Sequence, residues 1–320
     1  MLARFRADWD ALNQLGEARY GLAVSGGPDS MALLLLAASA LPGRVAIATV
    51  DHGLRRESAD EARMVARECA ALALPHVTLT LALPAGAGIQ ARARTARYAA
   101  LAGWARDNGL AGLVTAHHAD DQAETLAMRL HRGAGVRGLA GMRPVAAVPG
   151  DPALPLLRPL LGWRRATLAA VVAQAGIAAA HDPSNDDLRF ERVRVRQALG
   201  GAQDWLGSEG LAASAAHLAE ADAALDWAAA RLFAASWQPD GEGHGGLLAL
   251  DTRVPPALGL RLLERVLAAL GADPAAPRGA ELARWQATLA AGGIATLAGI
   301  RAQGLPEGWR FARAAPHRRT

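Results

Sequence analysis

Short apolar runs alternate along the first half of the chain with longer segments whose apolar residues recur every three or four positions. The runs predict buried strands over Tyr20–Val24, Val45–Val50, His76–Leu81 and Leu113–Ala116. The segments between them predict helices over Ser30–Ala40, Glu57–Leu72 and Gln90–Asn108, and a further helix begins at Asp120. Strands covered on both faces are almost continuously apolar, so this alternation predicts an α/β fold: a Rossmann-like parallel sheet with helices on both faces.

The second half of the chain has a different pattern. The proline-rich segment Pro144–Pro159 predicts a connection or a sheet edge, and helices are expected over Trp163–Gly176, Ser184–Leu199 and Ser208–Trp237. A glycine-rich link, Gln238–Gly246, precedes a short strand, helices over Pro256–Leu270 and Arg278–Ala291, and a hairpin of Ile294–Ile300 with Trp309–Arg313. We therefore predict two domains, residues 1–205 and a mainly helical one over residues 206–320 that ends in a β-hairpin.

The composition adds a bias in charge. The chain has 320 residues, 52% of them hydrophobic and 20% charged, which is enough for a buried core and excludes global disorder. All 34 basic residues are arginine, and residues 129–196 hold 11 of them against 5 acidic residues. This local excess indicates a phosphate-rich partner, or else it reflects the arginine-rich composition of the whole chain.

The cysteine content and the length of the apolar runs exclude other classes of protein. Cys69 is the only cysteine, so the chain forms no internal disulfide and no cysteine-based metal cluster. Met1–Asp10 is charged and does not resemble a signal peptide, and the longest apolar run, Met31–Pro42, is about half of what a membrane-spanning helix requires. We expect a cytoplasmic protein without a membrane partner.

A candidate phosphate loop follows the first predicted strand, with the sequence Ser25-Gly26-Gly27-Pro28-Asp29-Ser30. Glycines let the backbone approach a ligand closely, and the N-terminus of the following helix attracts an anion. An aspartate suits such a site when a cation, usually Mg²⁺, bridges it to the phosphate. The lysine of the GxxxxGK[ST] loop is absent, since the chain has no lysine. The alternative is an ordinary capped strand–turn–helix.

This loop has the SGGxDS pattern and resembles the pyrophosphate loop of the N-type ATP pyrophosphatases. The resemblance implies that Ser25, Gly26, Gly27, Pro28, Asp29 and Ser30 bind ATP, which is split between its α- and β-phosphates.

Further motifs make the resemblance more specific. They are Asp51-His52-Gly53-Leu54-Arg55, His117-His118-Ala119-Asp120-Asp121-Gln122-Ala123-Glu124, the glycine-rich stretch 132–139, Arg158-Pro159-Leu160-Leu161, Asp182-Pro183-Ser184-Asn185, and arginines 192, 194 and 196. In this order and spacing, residues 20–200 resemble the tRNA(Ile)-lysidine synthase family. Two departures, Val193 where that family usually has Asn and His181 where Trp is common, put a local contact in doubt but not the function.

The resemblance implies a ligase with ATP and Mg²⁺ as cofactors. The family joins free L-lysine to C2 of the wobble cytidine of tRNA(Ile) with anticodon CAU, through a cytidine adenylylated at O2, and the product is lysidine. It also implies that residues 206–320 recognise tRNA. The residues of the lysine pocket are not apparent from the sequence, and the oligomeric state, a homodimer included, stays open.

Four residues are the candidates for catalysis: Asp29, His117, Asp121 and Arg194. His117 and Asp121 are four positions apart, so a strand end and a helix start can direct both into one cleft. We expect Asp121 to join Asp29 in holding Mg²⁺, and His117 to assist at the phosphate or the base. The first-turn acids equally suit the helix dipole.

Two arginine-rich segments are candidates for phosphate contacts. Arg192, Arg194 and Arg196 would spread over a wide face of a helix, and Arg194 is expected to contribute to tRNA binding. Arg92, Arg94 and Arg97 form a second basic stretch. For both segments, an exposed and solvated helix face is the alternative.

Other functions remain open at this point. A related enzyme that modifies tRNA by thiolation would need several cysteines, and this chain has one. GMP synthetase and NAD synthetase share the loop but not the His-Asp-Asp-Gln series. A catalytically inactive tRNA-binding protein of the same fold would not need the intact loop with Asp29 and Asp121.

Overall fold

The computed structural model describes residues 1–12, 16–53, 57–82, 86, 88–180, 187–241, 243–250, 254–272 and 279–314. The chain divides into two compact units, Met1–Ala219 and Glu220–Thr320. The predicted functional boundary between residues 205 and 206 stays a prediction.

The first unit is built around a six-stranded sheet. Its elements are α1 (Leu2–Leu12), β1 (Tyr20–Ala23), α2 (Pro28–Ala40), β2 (Val45–Asp51), α3 (Glu57–Ala71), β3 (His76–Thr80), α4 (Ile89–Asp107), β4 (Leu113–Val114), α5 (Ala119–His131), α6 (Val136–Leu139), β5 (Val145–Val148), β6 (Asp151–Leu157), α7 (Arg165–Gln174) and α8 (Glu191–Gly201). The strand order is β3-β2-β1-β4-β6-β5, parallel except for β5. The predicted Rossmann-like fold is confirmed.

Strands β1 and β2 of this sheet carry side chains of different size on their two faces. Large aliphatic residues such as Leu22 and Ile47 face α1, α2, α3 and α7, whereas Ala23, Ala46 and other small residues face α4. A Cβ at Gly21 would lie 2.5 Å from Trp104 of α4, so only glycine fits there. Small residues on one face thus let α4 pack closely against the strands.

The proline-rich segment adds two strands to the sheet. β5 is the edge strand, and β6 lies between β5 and β4. β6 pairs with β4 only through Leu156 and Leu157, so Pro152 and Pro155 stand before that parallel ladder, and Pro155 adjoins a bulge in the pairing with β5. Proline is tolerated at such positions because no ladder N–H is needed there. The sequence predicted an edge but not the inner strand.

The second unit combines helices with an antiparallel sheet. A long helix, α9 (Ser208–Ser236), contributes residues to both units, as predicted for a single helix. It is followed by β7 (Trp237–Pro239), β8 (Gly245–Ala249), α10 (Pro256–Ala269), α11 (Ala280–Ala290), β9 (Ile294–Leu297), β10 (Ile300–Leu305) and β11 (Gly308–Arg313). The predicted terminal hairpin is part of a five-stranded sheet with the order β7-β8-β11-β10-β9. Position 278, the predicted start of α11, lies outside the described residues.

Candidate active site

The loop between β1 and α2 is held in shape by a serine hydroxyl. Ser30 Oγ donates to Gly27 O at 3.0 Å and accepts the Ser25 N–H at 3.1 Å. Pro28 occupies the first turn of α2, where no backbone donor is required. The Ala180 N–H donates to Gly26 O at 2.9 Å and fixes the loop from outside. These hydrogen bonds hold the loop in its conformation without a ligand.

The two glycines of the loop serve different purposes. Gly26 has a φ of +91°, and a Cβ there would lie 3.1 Å from Met64 Cε, so the fold itself favours glycine. Gly27 has an ordinary φ of −69°, and a Cβ there would meet only Ser25 Oγ at 3.9 Å. Nothing in the described protein requires Gly27. Its missing side chain leaves room for a ligand at the N-terminus of α2.

A cavity of about 660 Å³ opens beside this loop. It contains most of the predicted site residues, namely Ser25, Gly27, Pro28, Asp29, Ser30, His117 and Asp121. The cavity lies beyond the carboxyl ends of β1 and β4, where ligands bind in open parallel sheets. Five arginines and two aspartates are among the described residues of its wall, so the wall has an excess of positive charge suited to phosphates.

Arg194 is not among the residues that line this cavity. It is exposed, and its Nη1 donates to the carbonyls of Leu188 and Arg189 near the start of α8. Arg192 and Arg196 lie on the opposite face of α8 and line the cavity. The sequence predicted one wide basic face, but residues four apart share a helix face whereas residues two apart do not. The structure therefore separates Arg194 from the other candidates.

The cavity arginines of α7 and α8 share one buried carboxylate. Glu124 is 1% exposed; its oxygens accept from Arg192 Nε at 2.6 Å, Arg196 Nε at 2.7 Å and Arg165 Nη2 at 3.3 Å. Burial alone would raise the pKa of Glu124, but Arg196 and Arg192 hold it below its usual value. We call Glu124 with these three arginines the Glu124 cluster. Glu124 is part of the sequence motif 117–124, but the sequence does not predict this role, because the three arginines lie 41 to 72 residues away along the chain.

His118 lies between the two aspartates predicted to hold magnesium. Its Nε2 is 3.4 Å from Asp29 Oδ2 and 3.5 Å from Asp121 Oδ2, and its Nδ1 is 3.6 Å from Asp120 Oδ2. These are ion-pair distances, longer than good hydrogen bonds. Burial alone would lower the pKa of His118, yet the three aspartates raise it to about 9. His118 thus lies within ion-pair distance of both Asp29 and Asp121.

The carboxylates fit a magnesium ion. Asp29 Oδ1 is buried and has no hydrogen-bond partner among the described residues, while Asp121 also accepts from the His118 N–H and from Arg192. Within the described ranges there is no group of three or more His, Cys, Asp or Glu side chains placed to hold a metal. Mg²⁺ suits such a site, because it binds through one or two carboxylates and takes its other ligands from phosphates and water.

His117 is a neutral imidazole in this environment. Burial is the main cause that lowers the pKa of His117 to about 3, and the nearby charges of Arg158, Arg192, Arg97 and Arg94 lower it further. Its Nδ1 lies 2.8 Å from Thr115 Oγ1, and Thr115 is buried at the end of β4. The hydroxyl fixes the ring, so Nε2 remains available for a hydrogen bond with a ligand.

Asp120 joins the starts of two helices. Its carboxylate accepts from Arg164 Nε and Nη2 and from the Arg165 N–H at 2.8 Å. Burial alone would raise the pKa of Asp120, but His118 and these contacts hold that pKa far below its usual value. Asp120 is thus a structural residue that positions α5 against α7.

The glycine-rich stretch 132–139 is anchored to α5. Gln122 exchanges two hydrogen bonds with the backbone of Met142, at 2.9 and 2.7 Å, and Arg129 Nη1 donates to Gly138 O. The other predicted motifs Leu54-Arg55, His181 and Asp182-Pro183-Ser184-Asn185 lie outside the described residues.

In the described part of the chain, no helix is long and apolar enough to cross a membrane.

Comparisons with known proteins agree on one family. Residues 2–202 match the PP-loop domain family. The chain is 56% identical over 317 residues to the tRNA(Ile)-lysidine synthase of Novosphingobium aromaticivorans, which covers 99% of this chain and 94% of that protein. It is 42% identical over 305 residues to the tRNA(Ile)-lysidine synthase of Zymomonas mobilis, with 94% and 90% covered.

Among solved structures, the fold is similar to that of a U34-tRNA thiolase from Methanococcus maripaludis that holds a 4Fe-4S cluster. The TM-score is 0.56 at 14% identity, and the match covers 68% of this chain and 77% of that chain. At this identity the similarity concerns the fold alone.

Proposed function

This chain belongs to the tRNA(Ile)-lysidine synthase family, and we propose that it catalyses the ATP-dependent ligation of L-lysine to C2 of the wobble cytidine in tRNA(Ile) with anticodon CAU. The observation that carries the proposal is the cavity at the carboxyl edge of the sheet, where a preformed glycine loop meets Asp29, His117 and Asp121.

The reaction has two balanced steps. The cytidine O2 attacks the α-phosphorus of ATP, and pyrophosphate leaves from the loop formed by residues 25–30. The ε-amine of lysine then attacks C2, loses a proton, and AMP leaves with the former O2. The arginines that α7 and α8 contribute to the cavity wall stabilise the negative charge that develops on the phosphates.

Asp29 and Asp121 are the residues that would hold Mg²⁺, and the ion would neutralise phosphate charge and orient the leaving diphosphate. We expect Asp29→Asn and Asp121→Asn each to lower magnesium-dependent, tRNA-dependent release of pyrophosphate by at least 10-fold. Near wild-type release from either variant would remove that residue from the metal site.

His117 is expected to act as a neutral hydrogen-bonding group. Because its pKa is about 3, it is too weak a base to take the proton of the lysine ammonium at neutral pH. With Nδ1 directed to Thr115, its Nε2 is the atom that would contact a phosphate oxygen or the base.

A thiolation reaction is disfavoured by the state of the single cysteine. Cys69 is 0% exposed on α3, and burial raises the pKa of its thiol to about 12. Sulfur transfer requires an accessible thiolate. The cysteine is therefore part of the core and not a sulfur carrier.

The direct test is incubation with ATP, Mg²⁺, L-lysine and CAU-anticodon tRNA(Ile), followed by mass analysis of the wobble nucleoside. We expect a mass gain corresponding to lysine minus water, dependent on both ATP and lysine. An unmodified cytidine, or a sulfur-containing nucleoside when a sulfur donor is supplied, would reject the proposal.

A glycine variant tests the loop separately. Gly27→Ala should fold normally, because its Cβ meets only Ser25 Oγ, but should lose ATP affinity by at least 10-fold because the methyl group occupies ligand space. Gly103→Ala in α4, where nothing lies within 4 Å, is the matched control and should bind ATP normally. Undiminished ATP binding by Gly27→Ala would place the diphosphate elsewhere.

A further inference from the structure

A second group of arginines at the cavity lacks a carboxylate. Arg94 and Arg97 of α4 line the cavity, and Arg158, which follows β6, is 8% exposed. Within the described ranges none of the three forms an ion pair with an acidic side chain. We call them the unpaired arginine cluster.

Several contacts show how closely this cluster is packed. Arg94 stacks on the ring of Tyr98, with its guanidinium carbon 5.1 Å from the ring centroid. Arg158 Nη1 donates to Arg143 O at 2.6 Å, but Arg158 Nε is buried without a hydrogen-bond partner among the described residues. Burial first, and the charge of Arg94 as a further cause, lower the pKa of both Arg97 and Arg158.

Such an arrangement is unfavourable unless a ligand completes it. Arg97 is half-buried and Arg158 is buried, and both remain charged, so they lose hydration. The exposed Arg94 beside them adds a third positive charge, with no acidic side chain of the described residues to offset it. The Glu124 cluster reduces this cost, because its own carboxylate pairs with all three of its arginines. The unpaired arginine cluster is therefore arranged for an oxyanion supplied from outside.

The position of the cluster separates it from the diphosphate loop. α2, whose N-terminus carries the loop, packs on one face of the sheet, whereas α4 packs on the other face. The α-phosphate of ATP is covalently joined to the diphosphate and stays next to the loop. The cluster on the α4 side thus better fits an oxyanion of the second small substrate, and a planar guanidinium matches a carboxylate well.

We propose that Arg94, Arg97 and Arg158 form the subsite that binds the α-carboxylate of the amino-acid substrate. This inference rests on the proposed function for the identity of the amino acid. It assigns a specificity role: an amine without a carboxylate would leave the three guanidinium groups uncompensated and would be rejected.

The test compares substrates with and without the carboxylate. Wild type, Arg97→Gln and Arg94→Gln are assayed for lysidine formation with L-lysine, and for the corresponding adduct with lysinamide. For Arg97→Gln we expect the KM for lysine to rise about 10- to 100-fold, because a charged hydrogen bond to the substrate is lost. The affinity for ATP and the KM for tRNA should change less than about 2-fold. The preference for lysine over lysinamide should fall by the same factor.

Arg106→Gln is the matched control, because Arg106 is an exposed residue of the same helix that pairs with Asp151. It should leave all three constants unchanged. The substrate preference is a readout that a merely structural role of Arg97 would not move, and thermal unfolding confirms that each variant is folded.

Calorimetric binding of L-lysine and of lysinamide to the wild-type protein, with Mg²⁺ and a non-hydrolysable ATP analogue, separates this proposal from the proposed function. Tighter binding of lysine that Arg97→Gln abolishes supports the subsite, even if no lysidine forms and the proposed function fails. Equal affinities for the two compounds would overturn the subsite, even if lysidine forms. An Arg97→Gln effect confined to ATP or tRNA would also overturn it.

Discussion

Two sets of three arginines near one cavity differ in a single respect. In the Glu124 cluster, Arg165, Arg192 and Arg196 converge on a buried carboxylate, whereas Arg94, Arg97 and Arg158 meet no acidic side chain in the described ranges. The first set is held in place by its carboxylate, which aligns α5, α7 and α8, although its arginines also line the cavity. For the second set we propose a ligand carboxylate as the partner. The comparison teaches that arginines of one cavity differ in whether the protein itself supplies a carboxylate to hold them.

The second unit contains a buried ion cluster in which the protein itself supplies the carboxylates. Arg261 is 6% exposed, and it pairs with Asp222 and Asp226 of α9. Here two carboxylates surround one guanidinium, the inverse of the Glu124 cluster. No excess positive charge remains for a ligand at this position.

The largest expected effect comes from removing the shared carboxylate. Glu124→Gln would make the Glu124 cluster resemble the unpaired one, and we expect the free energy of unfolding to fall by about 3 kcal/mol at pH 7, because three guanidinium groups lose their buried counter-charge. Urea denaturation measures this loss.

The pH dependence of that loss has a defined sign. Since the folded-state pKa of Glu124 lies below its usual value of 4.5, its stabilisation is present above about pH 4.5 and declines as the pH falls. The difference between wild type and variant should therefore narrow in acid. Glu191→Gln, which breaks the more exposed pair with Arg132, is the control, with an expected loss below about 0.5 kcal/mol. Equal losses from both variants would contradict the comparison.

The change in stability when one arginine is removed should be smaller, and its sign should differ between the two clusters. Arg192→Gln removes a hydrogen-bonded partner of Glu124 and Asp121, so we expect a loss of about 1 kcal/mol in stability. Arg97→Gln removes an uncompensated, desolvated charge, so stability should be unchanged or rise by up to about 1 kcal/mol, while ligand binding is lost. Thermal unfolding of both variants without substrates measures the sign. A clear loss of stability in Arg97→Gln would show that its charge is compensated within the protein.

The smallest expected effect is electrostatic and is read at His117. Burial and the charges of Arg158, Arg192, Arg97 and Arg94 hold its pKa near 3, so the ring should not titrate between pH 8 and pH 5. In Arg97→Gln and in Arg192→Gln the pKa should rise, because each variant removes a positive charge, yet it should stay below 6.5 since burial is the main cause. NMR titration of the imidazole protons measures this. A histidine that titrates near 6.5 in the wild type would show that neither cluster acts on it.

In the folded state the imidazole of His117 stays neutral below about pH 6.5, whereas the same imidazole binds a proton in the unfolded chain. His117 therefore lowers stability as the pH falls from about 6.5 towards 3, and His117→Gln should remove that part of the acid sensitivity.

Local patterns were sufficient for most of the first unit. The apolar runs predicted β1 to β4, and the SGGxDS loop placed Ser25–Ser30 at the cavity, because a strand–loop–helix connection depends on residues that are close in sequence. The inner strand β6 was missed, since only the parallel ladder through Leu156 and Leu157 makes it part of the sheet. The distinction between Arg194 and its neighbours was also missed, although the helical period of 3.6 residues contains it.

The sequence by itself determined the alternation of β1 to β4 with their helices, the phosphate loop and the supply of arginines. The tertiary structure alone decided which arginines have a carboxylate beside them. Glu124 on α5 meets side chains from α7 and α8 that lie 41 to 72 residues away, whereas α4 presents Arg94 and Arg97 on the other side of the sheet, with no carboxylate of the described chain opposite them. Charge compensation depends on distances of a few ångströms between segments that are remote in sequence. Identical arginine side chains therefore acquire different roles according to whether the fold places an acidic side chain beside them.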